Sequence, residues 1–191
     1  MKPFSFIFQY VLNPRKVGAV LPSSKYLAQK MVDGIDFQNA KYIVELGPGT
    51  GVFTDKIIKS RIQHTVVMLI ESNTEFCTLL KEKYKGEKNL IIINDSAEEI
   101  DKYTKDFNIP YLDYVVSGLP FASLPKNVSS IILNKTKKLL RKNGVFTTFQ
   151  YTLFKKDFIH HYFKHIHLTR EYRNMPPAYV FRCSNLYAKS N

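Results

Sequence analysis

Acidic residues are absent from the first 32 positions, which carry five Lys/Arg, and nearly absent from residues 114–191, where thirteen bases meet two acids. Residues 33–113 run the other way, with ten bases and fourteen acids. The net charge of +12 therefore belongs to the two ends of the chain. Those ends would face something anionic, either nucleic acid or an acidic membrane surface, unless the charge is simply solubilising. Cysteine is scarce too. Cys77 and Cys183 form no CxxC pair and have no histidine at ligand spacing, which argues against a metal site and suits reduced thiols in a cytoplasmic protein. Long apolar runs are missing: Met1–Leu12 is aromatic-rich, but a bilayer span needs about 20 apolar residues. No small-residue cleavage site follows it, so it does not read as a signal peptide. The one glycine-rich turn is spaced GxGxG, with no GxGxxG and no Gly-Lys-Ser/Thr, which argues against NAD and ATP.

What is present is a chain of 191 residues with 45% hydrophobic and 14% aromatic residues, enough for a full core and too apolar for disorder. Its organising stretch is Tyr42-Ile-Val-Glu-Leu-Gly-Pro-Gly-Thr-Gly51. An apolar strand runs into glycines that let the backbone approach a ligand, and Val52–Ser60 then carries apolar residues at helical spacing. Further apolar strands end in Glu71 and Asp95, and a fourth, at 113–117, enters the loop Ser117-Gly-Leu-Pro-Phe121. Between them the spacing predicts helices at 25–33, 74–84, 97–104 and 127–141. Gly144 is read as the C′ residue of the last of these, with a strand following at 144–151. A helix at 154–164 and an antiparallel hairpin of strands 165–171 and 179–182 complete the pattern. Such alternation predicts an α/β fold around a parallel sheet. Four histidines, 160, 161, 165 and 167, lack a carboxylate partner, and no metal is expected.

ELGPGTG with acids after the second and third strands resembles the class I S-adenosylmethionine-dependent methyltransferases. Asn13-Pro-Arg-Lys-Val-Gly-Ala-Val-Leu-Pro-Ser-Ser24, Ser117-Gly-Leu-Pro120 and Asn174-Met-Pro-Pro-Ala178 look most like bacterial phospholipid N-methyltransferases, and the chain is also similar to rRNA adenine dimethylases. The resemblance spans nearly the whole chain. It implies a Rossmann-like, seven-stranded, mostly parallel sheet with its last strand antiparallel, helices on both faces and extra N-terminal helices. It implies a single domain over 1–191, with 1–34 as a cap or membrane-facing segment and 40–191 as the core. The cofactor would be S-adenosyl-L-methionine, held by Ser23, Ser24, Glu45, Gly47, Gly49, Gly51, Glu71, Ser72, Asp95, Ser96 and Ser117. Glu71 would take the ribose and Asp95 the adenine amine.

The acceptor would meet Ser117, Gly118, Leu119, Pro120 and Phe121. In adenine-N6 methyltransferases this loop reads Asn-Leu-Pro-Tyr, so Gly118 stands where an acceptor side chain is needed, and Phe121 keeps a stacking ring that could face a quaternising amine. Tyr151 would bound the site, and Arg173 would hold a substrate phosphate or else pair with Glu171. The expected activity is N-methylation of phosphatidylethanolamine by an enzyme resting on the inner face of the membrane. The alternative is rRNA adenine N6-methylation, although no appended RNA-binding domain is expected after residue 191. Met1–Leu12 would then be an interfacial helix or a cap on the core.

Overall fold

The structure, a computed structural model, describes residues 24–185; the interfacial-helix expectation and Ser23 lie outside them. Helix α1 (Lys25–Val32) is followed by β1 (Tyr42–Leu46), α2 (Val52–Ser60), β2 (Val66–Ile70), α3 (Thr74–Lys83) and β3 (Leu90–Ile93). A 3₁₀ turn (Ala97–Glu99) leads into α4 (Ile100–Asp106), then β4 (Leu112–Ser117), α5 (Lys126–Leu139), β5 (Leu140–Gln150), α6 (Lys156–His160), β6 (His165–Glu171) and β7 (Ala178–Ser184).

The seven strands form one sheet in the order β3-β2-β1-β4-β5-β7-β6. All pairings are parallel except those of β7, which is inserted antiparallel between β5 and β6. The carboxyl ends of β1 to β6 consequently share one edge, and the β6–β7 turn returns to that same edge. The apolar runs are continuous because both faces are covered. Val44, Leu46, Met68, Ile70 and Val115 pack into one core, while Ile43, Val67, Leu69, Tyr114 and Val116 pack into the other. At about 1.5–3 kcal/mol for each fully buried aliphatic side chain, these central strands supply much of the stability.

Helix α1 lies on the second face with Leu27, Ala28, Met31 and Val32 buried. Ser24 caps it, its side chain accepting from the Leu27 amide.

Two sequence-based boundaries are corrected. Gly144 is not a helix cap, because β5 already begins at Leu140. It sits where the β4–β5 register shifts between Leu112 and Tyr114, and a Cβ there would lie 3.0 Å from the carbonyl oxygens of Arg141 and Leu112. Close backbone approach at a bulge is what demands glycine. The helix expected over 154–164 is only α6, Lys156–His160; Phe154 stands outside it and is 82% exposed.

Candidate active site

The glycine loop leaves β1 at Gly47, whose amide donates to the Ile70 carbonyl at 2.9 Å. Gly47, Gly49 and Gly51 all have positive φ, at 66°, 56° and 83°. At Gly47 the requirement is also spatial, since a Cβ would meet Leu119 Cδ2 at 2.7 Å. At Gly49 nothing lies within 4 Å of a hypothetical Cβ, so the loop's outer side is open. The end of α3 props the loop from behind. The Tyr84 hydroxyl shares its one proton between the Gly51 carbonyl at 3.0 Å and Asp55 at 2.8 Å, and Lys83 reaches Asp55 at 2.8 Å.

Two carboxylates stand at this edge. Glu71, just beyond β2 and 6% exposed, accepts from the Gly49 amide at 3.0 Å and the Asn73 amide at 2.8 Å, while Ser72 beside it is exposed. Glu45, inside β1, is fully buried, and its Oε2 accepts from the Thr54 hydroxyl at 2.7 Å. Its Oε1 has no partner among the described residues. Burial pushes this carboxyl up to about 8, with Thr54 acting against the shift and nearby Glu71 adding to it. Farther along the edge, Asp95 accepts from the Tyr103 hydroxyl and the Ser96 amide, which hold it below the usual carboxylate range. Ser96 in turn caps the 3₁₀ turn, accepting from the Glu98 amide.

Opposite the glycine loop, the turn after β4 begins at buried Ser117, whose hydroxyl accepts from the Leu119 amide at 3.2 Å. Gly118 donates its amide to Leu46 at 2.9 Å and lies against Gly47, so that a Cβ would fall 2.5 Å from the Gly47 carbonyl oxygen. Gln150, at the end of β5, ties this turn down: its carbonyl accepts from Ala122 at 3.1 Å and its amide donates to Leu119 at 3.2 Å.

The expectation that Phe121 offers a stacking ring is corrected. It is fully buried and meets Phe146 edge-on at 6.0 Å, supporting the turn from within the core. The rings at the mouth are Tyr151, edge-on to Phe149, and the strongly exposed Phe154.

The fourth wall is the β6–β7 turn. Buried Asn174 accepts from the Ser24 amide at 2.9 Å and donates to the Pro176 carbonyl at 2.8 Å, fixing α1 to the turn. Arg173 takes the ion-pair alternative. Its Nε and Nη2 reach the two oxygens of Glu171 at 3.0 and 3.2 Å, Lys30 adds a contact at 3.4 Å, and the guanidinium lies 4.1 Å from the Tyr26 ring centre. Glu171 is held down to about 2, chiefly by Arg173. Two bases share one carboxylate, so the cluster keeps a net positive charge at the cleft wall.

Ser24, Glu45, the three glycines, Glu71, Asp95 and Ser117–Pro120 therefore share the carboxyl edge of the sheet. Sequence reasoning missed Gln150 and Tyr84, and it singled out Asn174 only as part of a motif; all three are polar residues that brace the loops.

The ribosomal RNA adenine dimethylase family model matches residues 18–168. The chain belongs to that family. An ornithine lipid N-methyltransferase of Singulisphaera acidiphila is 29% identical over 94% of each chain. A ribosomal RNA small subunit methyltransferase A of Malacoplasma penetrans is 30% identical over 62% of this chain, which matches 40% of that protein. Among solved structures, an rRNA methylase of Streptococcus thermophilus superimposes with a TM-score of 0.65 at 14% identity, covering 88% of this chain and all of that one. TrmN of Thermus thermophilus gives 0.67 at 12% identity, covering 93% of this chain and 53% of its own. These likenesses carry the fold alone.

As an adenine dimethylase family member with the class I fold, the chain is an S-adenosylmethionine-dependent N-methyltransferase. The open side of Gly49, the unpartnered oxygen of Glu45 and the acid ending β2 fit that cofactor. When bound, it supplies a methyl group already activated on a sulfonium.

Proposed function

We propose that this enzyme methylates the amine of a membrane lipid, with phosphatidylethanolamine as the acceptor. The observation that carries the reading is the contact of Gly118 with Gly47. An adenine amine needs a side-chain acceptor at that point of the loop, and a Cβ there would strike a backbone oxygen at 2.5 Å. A lipid amine asks less, namely a free lone pair, exclusion of water and in-line positioning.

The rim of the cleft supports a lipid. Phe154 is 82% exposed, Met175 76% and Tyr172 70%, and all three lie in the loop after β5 or the β6–β7 turn. Cations underlie them, with Lys155 near the Phe154 ring and Arg170 on Tyr172. Rings at headgroup depth above cations at phosphate depth suit a bilayer interface. No described helix is long and apolar enough to cross a membrane.

Within this reading Glu71 takes the cofactor ribose, Asp95 the adenine, and Glu45 faces the cofactor's cationic end. Tyr151 flanks the acceptor amine, and the Arg173–Lys30–Glu171 cluster offers its surplus charge to the lipid phosphate. The mutual 94% coverage with a protein named for ornithine lipid makes an ornithine lipid a second acceptor to try. RNA is the rival from the family match. Methyl transfer from labelled cofactor into lipid vesicles, beside transfer into rRNA, tests the proposal.

A further inference from the structure

A second basic cleft lies at the other end of the sheet. In the β6–β7 pairing His165 stands opposite Ser184 and His167 opposite Arg182, so the four side chains share one face of the hairpin. With His160 and Lys164 they line an open groove of about 460 Å³ that reaches Val145 on β5, and no carboxylate among the described residues lines it. Val145 and Gln150 are separated by half the length of β5, about 17 Å at the usual strand rise, so this groove is distinct from the methyl-transfer cleft.

Arg182 gives the groove its chemistry. Its Nε is shielded from solvent, yet has no acceptor among the described residues. The guanidinium packs on the turn after α1, close enough that a Cβ on Gly34 would lie 3.0 Å from Nη1. The acids of that turn are engaged elsewhere: Asp33 accepts from Gln29 and Asp36 from Asn39, and neither forms an ion pair with Arg182. Nε is closed to the groove, but no described carboxylate pairs with the guanidinium, so its positive charge is left for an anion in the groove to meet. Among the described residues the histidines belong to no group of three that could hold a metal ion.

We infer that this groove binds a phosphate-bearing anion. Arg182 supplies positive charge from the wall of the groove, while Lys164 and His167, both exposed, approach from the solvent side. The ligand is either a soluble phosphate compound or a phospholipid headgroup. Because of the separation along β5, it is not the phosphate of a lipid whose amine is being methylated. The inference stands whether the methyl acceptor is lipid or RNA.

The test is calorimetry on the full chain saturated with S-adenosylmethionine, titrated with pyrophosphate at constant ionic strength. Wild type should bind it; Arg182→Gln should abolish binding, and His167→Gln should weaken it about tenfold, the scale of one charge-assisted contact. S-adenosylmethionine affinity should be unchanged in both variants. If Arg182→Gln does not fold, His167→Gln combined with Lys164→Gln, both on exposed positions, decides the matter. Competition by short-chain phosphatidic acid assigns the groove to headgroups, and its absence to soluble phosphates. No pyrophosphate binding by wild type, binding of equal strength in the variants, or binding of RNA without pyrophosphate overturns the inference.

Discussion

Gly118 and Gly47 touch through backbone alone: a Cβ on Gly118 would stand 2.5 Å from the Gly47 carbonyl oxygen. The turn after β4 and the glycine loop after β1 thereby lie in direct backbone contact. Gly118→Ala should destabilise the protein by about 1–3 kcal/mol, the usual cost of overpacking. It should also weaken S-adenosylmethionine binding, which thermal melts with and without cofactor would register. Gly118→Asn should lose activity on every acceptor and gain none on adenine. An Asn variant that methylates RNA would show that the loop has room for a base.

Glu71 is held by the amides of Gly49 and Asn73, with one carboxylate oxygen on each. Glu71→Gln keeps the shape and removes the charge. Cofactor affinity should fall by about 1–3 kcal/mol, the range for a charge-assisted hydrogen bond. Calorimetry that returns wild-type affinity would remove Glu71 from the site.

Glu45 gives a pH signature. Its carboxyl is raised by burial to about 8 in the folded state, against an ordinary value of 4.5. Between those values the folded protein holds a proton that the unfolded chain has released, so this group's contribution to stability declines as pH rises from 4.5 towards 8. Glu45→Gln should flatten that slope in melting curves. Cofactor binding near pH 7 should release up to about one proton, because a cation beside Glu45 favours the carboxylate. Heats of binding that do not vary among buffers of different ionisation enthalpy would contradict this.

Much of the fold was legible in the sequence, because its strongest signals are local. The apolar run Ile43–Leu46 and three closely spaced glycines mark β1 and its turn, and the acids Glu71 and Asp95 follow one and two residues after their strands. The misread parts depend on distant partners. Gly144 resembles a helix C′ residue, but its environment is set by Leu112 across the sheet. Phe121 follows Leu-Pro as a stacking ring would, yet Phe146 and the core claim it. Gln150 and Asn174 act through hydrogen bonds to residues 28 and 150 positions away, and no local pattern announces those partners.

The exposed rim can be probed with little interference, because the chain contains no tryptophan. Phe154→Trp introduces a single reporter at a position 82% exposed. Its emission should shift to the blue on addition of anionic vesicles, be quenched by lipids brominated along the chain, and recover in high salt as the electrostatic part of binding is screened. Unaltered emission at lipid concentrations where the protein co-sediments would mean that the β5–α6 loop does not face the bilayer.

The most direct measurement is methyl transfer from labelled S-adenosylmethionine, by the same protein preparation, into phosphatidylethanolamine vesicles, ornithine lipid vesicles and unmethylated small-subunit rRNA. The account predicts label in the lipid phase, with phosphatidylethanolamine accepting and rRNA remaining unlabelled. Label in rRNA with none in either lipid would contradict it.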